Sequence, residues 1–90
     1  MAIGLVFEAE GVTQQQYDSV KQAVSPDNRL PAGMLYHVAG PTSNGWRVVE
    51  VWESQALMDA FFQEKLGAEL QKANINVQPQ QFEVYNIMQP

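Results

Sequence analysis

The chain has 90 residues, of which 46% are hydrophobic, and its ten acidic and five basic residues give a formal net charge of −5. This length predicts one domain over residues 1–90, and the few, scattered basic residues exclude the basic patch that nucleic acids or anionic membranes require. Cysteine is absent, which excludes disulfides, thiolate metal sites and cysteine nucleophiles.

No segment has the features of a signal peptide or of a membrane span. The apolar residues 1–7 lack a basic region and are followed by Glu8, and no apolar run approaches the roughly 18 residues of a spanning helix. We therefore expect a soluble cytoplasmic protein that binds neither nucleic acid nor membrane.

The first half of the chain predicts a strand, a helix and a second strand. Residues 2–8 have apolar side chains on both faces, as in a strand inside a sheet. Thr13 and Gln16 have the spacing of a capping box before an amphipathic helix over residues 14–24, which Pro26 ends. After a loop rich in proline and glycine, residues 34–40 are predicted as the second strand.

The second half predicts a hairpin, a helix and a last strand. Residues 45–54 are the most β-prone run, and Asn44-Gly45 before them is a strong signal for a tight turn. A second helix with a serine N-cap is predicted over residues 54–66, and Gly67 either ends or only interrupts it. Residues 81–88 are predicted as the last strand.

The order strand, helix, strand, strand, helix, strand indicates an α+β, ferredoxin-like fold. In this fold an antiparallel four-stranded sheet carries two helices on one face. The strands have few polar residues for the other face, which would be an exposed apolar patch in a monomer. We therefore expect a homodimer in which two sheets pack against each other.

His37 is the only histidine, and the hairpin register decides what it faces. If Asn44 and Gly45 are the central turn residues, His37 pairs with Trp52 and lies diagonally close to Glu50. One face then carries Leu35, His37, Ala39, Trp46, Val48, Glu50 and Trp52. The opposite face carries Met34, Tyr36, Val38, Arg47, Val49 and Val51. A bulge near residues 40–41 would reverse this assignment.

An imidazole beside a carboxylate can move a proton, which makes His37 and Glu50 the candidate catalytic residues. Glu50 would orient the ring and raise its proton affinity. The alternative is a half-buried hydrogen bond that only stabilises the sheet. One histidine and one glutamate lack the further ligands of a metal site, so no metal is expected.

Aromatic residues near this pair are candidates for a ligand pocket. Trp46 and Trp52 could be stacking walls for a flat aromatic molecule, or simply part of the core or an interface. The Tyr36 hydroxyl could orient a ligand, or find a partner at a dimer edge. Phe61 and Phe62 fit a core between helix and sheet and could also form a pocket wall.

The chain resembles the dimeric α/β-barrel superfamily, and most of all small proteins near the antibiotic-biosynthesis monooxygenase group. The resemblance rests on the His37 strand, on the sequence Gly-Trp-Arg-Val-Val-Glu-Val-Trp-Glu-Ser at 45–54, and on the Phe61-Phe62 helix ending in Leu66-Gly67. It implies a homodimer with a pocket between sheet and helices in each subunit.

In the monooxygenase members, a phenol is oxidised without a cofactor, as its anion, in a pocket with Asn, Trp, Tyr and Arg. The resemblance makes Trp46 or Trp52, Tyr36 and Arg47 the candidates for such substrate-binding roles, and it implies no cofactor. Haem-degrading relatives place a histidine on the second helix, and residues 55–66 contain none.

Three functions remain open at this point. The chain could be a cofactor-independent monooxygenase acting on a small aromatic substrate, a non-catalytic ligand-binding or stress-associated dimer, or a structural interaction module. An enclosed cavity of a few hundred Å³ that reaches His37 would favour the first two functions over the third.

Overall fold

The computed structural model describes residues 1–77 and 79–90 and has the ferredoxin-like order. The elements are β1 (Ile3–Glu10), α1 (Gln14–Val24), β2 (Met34–Thr42), β3 (Gly45–Trp52), α2 (Gln55–Phe61), a π-helical turn (Phe62–Leu66), α3 (Gly67–Lys72) and β4 (Gln80–Glu83). The strands form one antiparallel sheet in the order β2-β3-β1-β4. The predicted fold class is thus confirmed.

Helix α1 begins and ends where the sequence predicts. The Thr13 hydroxyl accepts a hydrogen bond from the Gln16 backbone N–H, and the Gln16 side chain accepts one from the Thr13 N–H. This capping box satisfies two backbone donors that would otherwise lack partners at the first turn. The helix buries Val20 and aligns Tyr17 and Val24 on the same inward side.

The β2–β3 hairpin is shifted by two residues from the predicted pairing, but the predicted faces are correct around His37. Thr42 pairs with Gly45, so Ser43 and Asn44 are the central turn residues and His37 lies directly opposite Glu50. Because side chains alternate with a period of two, a shift of two residues leaves each of them on its predicted face.

Gly45 is needed for close packing rather than for the turn. It has no positive φ angle, and a Cβ atom placed there would collide with the carbonyl oxygen of Ala9. The first residue of β3 therefore approaches β1 more closely than a side chain allows. This explains why the glycine lies one position later in the hairpin than the turn signal predicts.

A bulge at Leu35 gives Met34, the first residue of β2, the opposite orientation to the predicted one. The pairing shifts between Met34 and Tyr36, and Met34 pairs with Trp52. Met34 is therefore buried in the core rather than on the outer face, and Leu35 is exposed. An extra residue in one strand inverts the alternation on one side of the bulge.

The second helical segment continues past Gly67, which is one of the two alternatives that the sequence left open. The Ser54 hydroxyl accepts a hydrogen bond from the Leu57 N–H and caps α2, as predicted. The backbone keeps helical dihedral angles through the π-helical turn and Gly67. The helix ends at Lys72. A Cβ atom at position 67 would crowd the carbonyl oxygen of Phe62, so this glycine accommodates the turn instead of ending the helix.

The last strand is shorter than the predicted 81–88. Strand β4 pairs with β1 only over Gln80–Glu83, and the Val84 N–H donates to the Ala2 carbonyl. Strand β1 begins at Ile3, so residues beyond 84 have no partner strand to pair with. Tyr85 and Met88 are accordingly exposed.

The sheet has one face covered by the helices and one uncovered face. The core on the covered face comprises Leu5, Phe7, Val20, Met34, Trp52, Met58, Phe61 and Leu66. The uncovered face carries apolar side chains that are partly or largely exposed, including Tyr36, Val38, Val49 and Phe82. Among the described residues, no helix has the length and apolar character needed to cross a membrane.

Candidate functional site

A cavity of about 210 Å³ lies between the sheet and the helices. Core side chains form most of its walls, among them Phe7, Val20, Met34, Val48, Phe61 and Leu66. Its polar groups include Tyr17, His37 and Glu50, which come from α1, β2 and β3. An apolar cavity of roughly 150 Å³ suffices to bind benzene, so this one can hold a ring system somewhat larger than benzene.

Glu50 is the buried anchor of the site. The residue is only 3% exposed, although it lies in the middle of an apolar strand. Its Oε1 accepts a hydrogen bond from the Trp52 indole N–H at 2.9 Å, and its Oε2 lies 2.9 Å from His37 Nδ1. Both carboxylate oxygens are thus engaged, which a buried acidic group requires.

His37 connects this carboxylate to a tyrosine on the covering helix. The Tyr17 hydroxyl lies 2.6 Å from His37 Nε2, on the opposite side of the ring from Glu50. Because an ionised carboxylate only accepts hydrogen bonds, Nδ1 carries a proton, and in the neutral ring Nε2 accepts from the hydroxyl. We call this chain of side chains, Tyr17–His37–Glu50–Trp52, the hydrogen-bond relay.

The surroundings of Tyr17 favour its protonated form. Burial raises the pKa of the Tyr17 phenol above its usual value of 10.0, and the negative charges of Glu50 and Asp18 raise it further. A neutral hydroxyl donates one hydrogen bond and retains acceptor capacity. With its proton directed at His37, the Tyr17 oxygen can accept a hydrogen bond from a molecule in the cavity.

Trp46 lines the cavity beside Tyr17. Its ring stacks on Tyr17 with 5.2 Å between ring centroids. Its indole N–H is buried and has no acceptor within the described part of the chain. A buried donor without a partner carries a free-energy cost.

The other residues predicted for the site separate into two groups. Phe61 lines the cavity, while Phe62 packs against Phe7 beside it in a tilted arrangement, with ring centroids 5.5 Å apart. Tyr36 and Arg47 lie on the uncovered face of the sheet, where Arg47 pairs with Glu8. The structure therefore brings His37, Glu50 and both tryptophans together on the covered face. Tyr36 and Arg47 lie on the opposite face of the sheet.

Sequence reasoning did not select Tyr17 as a site residue. Its helical spacing with Val20 and Val24 marks it as inward-facing, and a phenol on an otherwise apolar inward face was the available signal. Its contact with His37 joins residues 20 positions apart, which no local pattern reveals.

No group of three histidine, cysteine, aspartate or glutamate side chains within residues 1–77 and 79–90 is arranged to hold a metal ion. The relay contains one histidine and one carboxylate, and its remaining members are a phenol and an indole. Phenol and indole groups do not complete the usual ligand sets of protein-bound zinc.

Solved structures with the same fold are found among antibiotic biosynthesis monooxygenase-like proteins. SnoaB of Streptomyces nogalater, described as a cofactor-independent oxygenase, matches in a mutant form with a TM-score of 0.70 and 12% identity over 97% of this chain and 96% of that chain. A predicted antibiotic biosynthesis monooxygenase of Chloroflexus aurantiacus matches with a TM-score of 0.69 and 14% identity over 99% and 98%.

A third structure of this kind, from Deinococcus radiodurans, matches with a TM-score of 0.65 and 13% identity over 100% of this chain and 98% of that chain. No model of a protein family matches the sequence, and no curated protein matches it. At these identities the likeness shows the ferredoxin-like fold, shared over nearly the full length of both chains.

Proposed function

We propose that this protein is a cofactor-independent monooxygenase that oxidises a small aromatic phenol held in the cavity. The observation that carries the proposal is the relay, which places a proton acceptor at an apolar cavity of suitable size. Apolar pockets with a few convergent polar groups are typical ligand sites. The likeness in fold to a described cofactor-independent oxygenase supports the same reaction class.

The first step is removal of the phenol proton. The substrate hydroxyl donates to the Tyr17 oxygen, and its proton moves there as the Tyr17 proton passes to His37 Nε2. Glu50 stabilises the imidazolium through Nδ1–H, and Trp52 holds the carboxylate in place. His37 is the catalytic base in this scheme, Tyr17 transfers the proton, and Glu50 positions and stabilises the base.

The second step uses the electrons of the substrate anion, so the reaction needs no added reductant. A ring carbon of the phenolate bonds to dioxygen, and the proton held on His37 returns to the peroxide oxygen. The O–O bond then breaks, and the hydroxyl leaves as water with the hydrogen of that carbon. One oxygen atom remains as a second carbonyl, so a naphthol gives a naphthoquinone and one water.

We also propose that the protein is a homodimer joined through the uncovered sheet faces. Val38 and Phe82 on this face are 65% and 54% exposed in the single chain. Burying such a patch against a second copy removes apolar surface from water. Tyr36 and Arg47 would then lie near the interface, on the face of the sheet opposite the cavity, and would not contact the substrate.

Oxygen consumption with α-naphthol, without added cofactor and with a chelator present, tests the proposed reaction. Wild-type protein should consume one O₂ for each quinone formed, and a correctly folded His37→Asn variant should be slower by about 10²-fold or more. A wild-type rate equal to that of buffer would contradict the enzymatic role. If calorimetry then still detected bound naphthol, the non-catalytic ligand-binding function would be the better description.

A further inference from the structure

Basic side chains line the cavity and the groove that shares part of its lining. Lys21 and Arg29 line the cavity, and Arg29 and Lys65 line the shallow groove that adjoins it. These are three of the five basic residues in the chain, which otherwise carries ten acidic ones. A local group of cations can attract an anion even when the net charge of the protein is negative.

Lys21 and Lys65 both lack an ion-pair partner among the described residues, and of these two only Lys21 lines the cavity itself. Arg29 lies 3.5 Å from Asp27, whereas Lys21 forms no ion pair with any carboxylate among residues 1–77 and 79–90. Lys21 is half-buried, so its aliphatic stem borders the apolar cavity while its ammonium group remains available.

Tyr17 and Lys21 mark two polar ends of the cavity, and their spacing on α1 sets the distance between these ends. Lys21 follows Tyr17 by four residues on α1, so the two side chains leave the same side of the helix about 6 Å apart along its axis. The apolar side chain of Val20 lies beside them on the same helix. A flat molecule with one group at Tyr17 and an anionic group at Lys21 would span this distance.

We infer that the natural ligand is an aromatic carboxylic acid, with its phenolic oxygen at Tyr17 and its carboxylate at Lys21. This inference rests on the proposed function and names the substrate class of the same site. The phenol end meets the proton-accepting relay, and the carboxylate end meets the unpaired ammonium group near solvent. A carboxylate there avoids Glu50, whose negative charge is at the inner end of the cavity.

Calorimetric binding of two matched probes, hydroxynaphthoate and its neutral amide hydroxynaphthamide, tests this inference. Wild-type protein should bind the carboxylate roughly tenfold or more tightly than the amide, because charge-assisted hydrogen bonds are the stronger ones. The preference should decrease with added salt, since this end of the cavity borders solvent.

Lys21→Met should abolish the preference, because the affinity for the carboxylate should fall much further than the affinity for the amide. Methionine keeps the helix propensity and most of the stem, so the fold should be retained. Lys72→Met is the matched control, because it removes the same charge from a lysine that pairs with Glu69 on α3. The control should keep the wild-type preference.

The outcomes separate this inference from the proposed function. Equal binding of both probes by wild-type protein, or a preference that persists in Lys21→Met, would overturn the carboxylate assignment and leave the aromatic cavity intact. Failure of both probes to bind would overturn the proposed function and this inference together.

Discussion

The hydroxyl of Tyr17 lies 2.6 Å from Nε2 of His37 and joins helix α1 to β2, a strand at the edge of the sheet. The same imidazole contacts the buried Glu50 on its other side. The contact therefore continues the buried polar network from the centre of the sheet to the helix that covers it. It also makes Tyr17 the member of the relay best placed to meet a ligand.

Tyr17→Phe should change how stability depends on pH. Because the pKa of Tyr17 is raised in the folded protein, the unfolded chain loses this proton first above pH 10.0. The linkage contribution is constant below that pH, and the free energy of unfolding falls as the pH rises through the folded pKa. Urea unfolding between neutral and strongly alkaline pH should show this decline in wild type and a weaker one in Tyr17→Phe.

Tyr85→Phe provides the control, because it removes the hydroxyl of a fully exposed tyrosine. It should leave the alkaline decline as in wild type. At neutral pH Tyr17→Phe should also cost about 1 kcal/mol for the lost hydrogen bond. Parallel curves for wild type and Tyr17→Phe at alkaline pH would argue against a half-buried, hydrogen-bonded phenol.

Glu50→Gln should destabilise the fold although the substitution conserves size. The amide offers one acceptor oxygen and one NH2 donor in place of two acceptor oxygens, so a charge-assisted hydrogen bond to Trp52 or His37 is lost. We expect a loss of about 1–3 kcal/mol in the free energy of unfolding, measured by chemical denaturation. Glu53→Gln, at an exposed position three residues later, should change it by less than about 0.5 kcal/mol. Equal effects of the two substitutions would contradict the assigned role of Glu50.

Gly45→Ala should destabilise the protein because the added methyl group meets the main chain of Ala9. Backbone atoms inside a sheet cannot move aside as a flexible side chain can, so a loss of about 1–3 kcal/mol is expected. Gly40→Ala is the control, since a Cβ atom at position 40 has no neighbour within 4 Å. Thermal unfolding of the two variants should separate them, and a Gly45→Ala protein as stable as Gly40→Ala would reject the close approach of β3 to β1.

Val49→Lys should convert the proposed dimer into a monomer. Val49 lies on β3 in the uncovered face, so a lysine there would place a charge in the apolar interface. Light scattering after gel filtration at micromolar concentration should give twice the chain mass for wild type and the single mass for the variant. Gln22→Lys, which adds the same charge at an exposed position on α1, should remain dimeric. A monomeric wild type would refute the pairing of sheets.

The sequence pattern was sufficient for the fold and for the face on which His37 and Glu50 lie. The alternation of side chains depends only on whether a register shift is odd or even, so the shift of two residues in the strand pairing left the predicted faces unchanged around His37. Met34 was misplaced because the bulge at Leu35 has no local sequence signal. The last strand was overextended because its length depends on where β1 begins.

The site itself was only partly predictable, because it depends on contacts between distant elements. Glu50 was noticeable as a charge within an apolar strand, and His37 as a single imidazole. The role of Tyr17 follows from how α1 is placed over β2, and that of Lys21 from the cavity one helical turn further along. Tertiary packing, rather than local propensity, decides both.

A crystal structure of the wild-type protein with α-naphthol tests the central claim most directly. The account predicts the rings inside the cavity, in contact with Trp46 and Phe61, and the naphthol oxygen within hydrogen-bonding distance of the Tyr17 hydroxyl. Naphthol found only outside the cavity, or bound with its oxygen turned away from Tyr17 and His37, would contradict it.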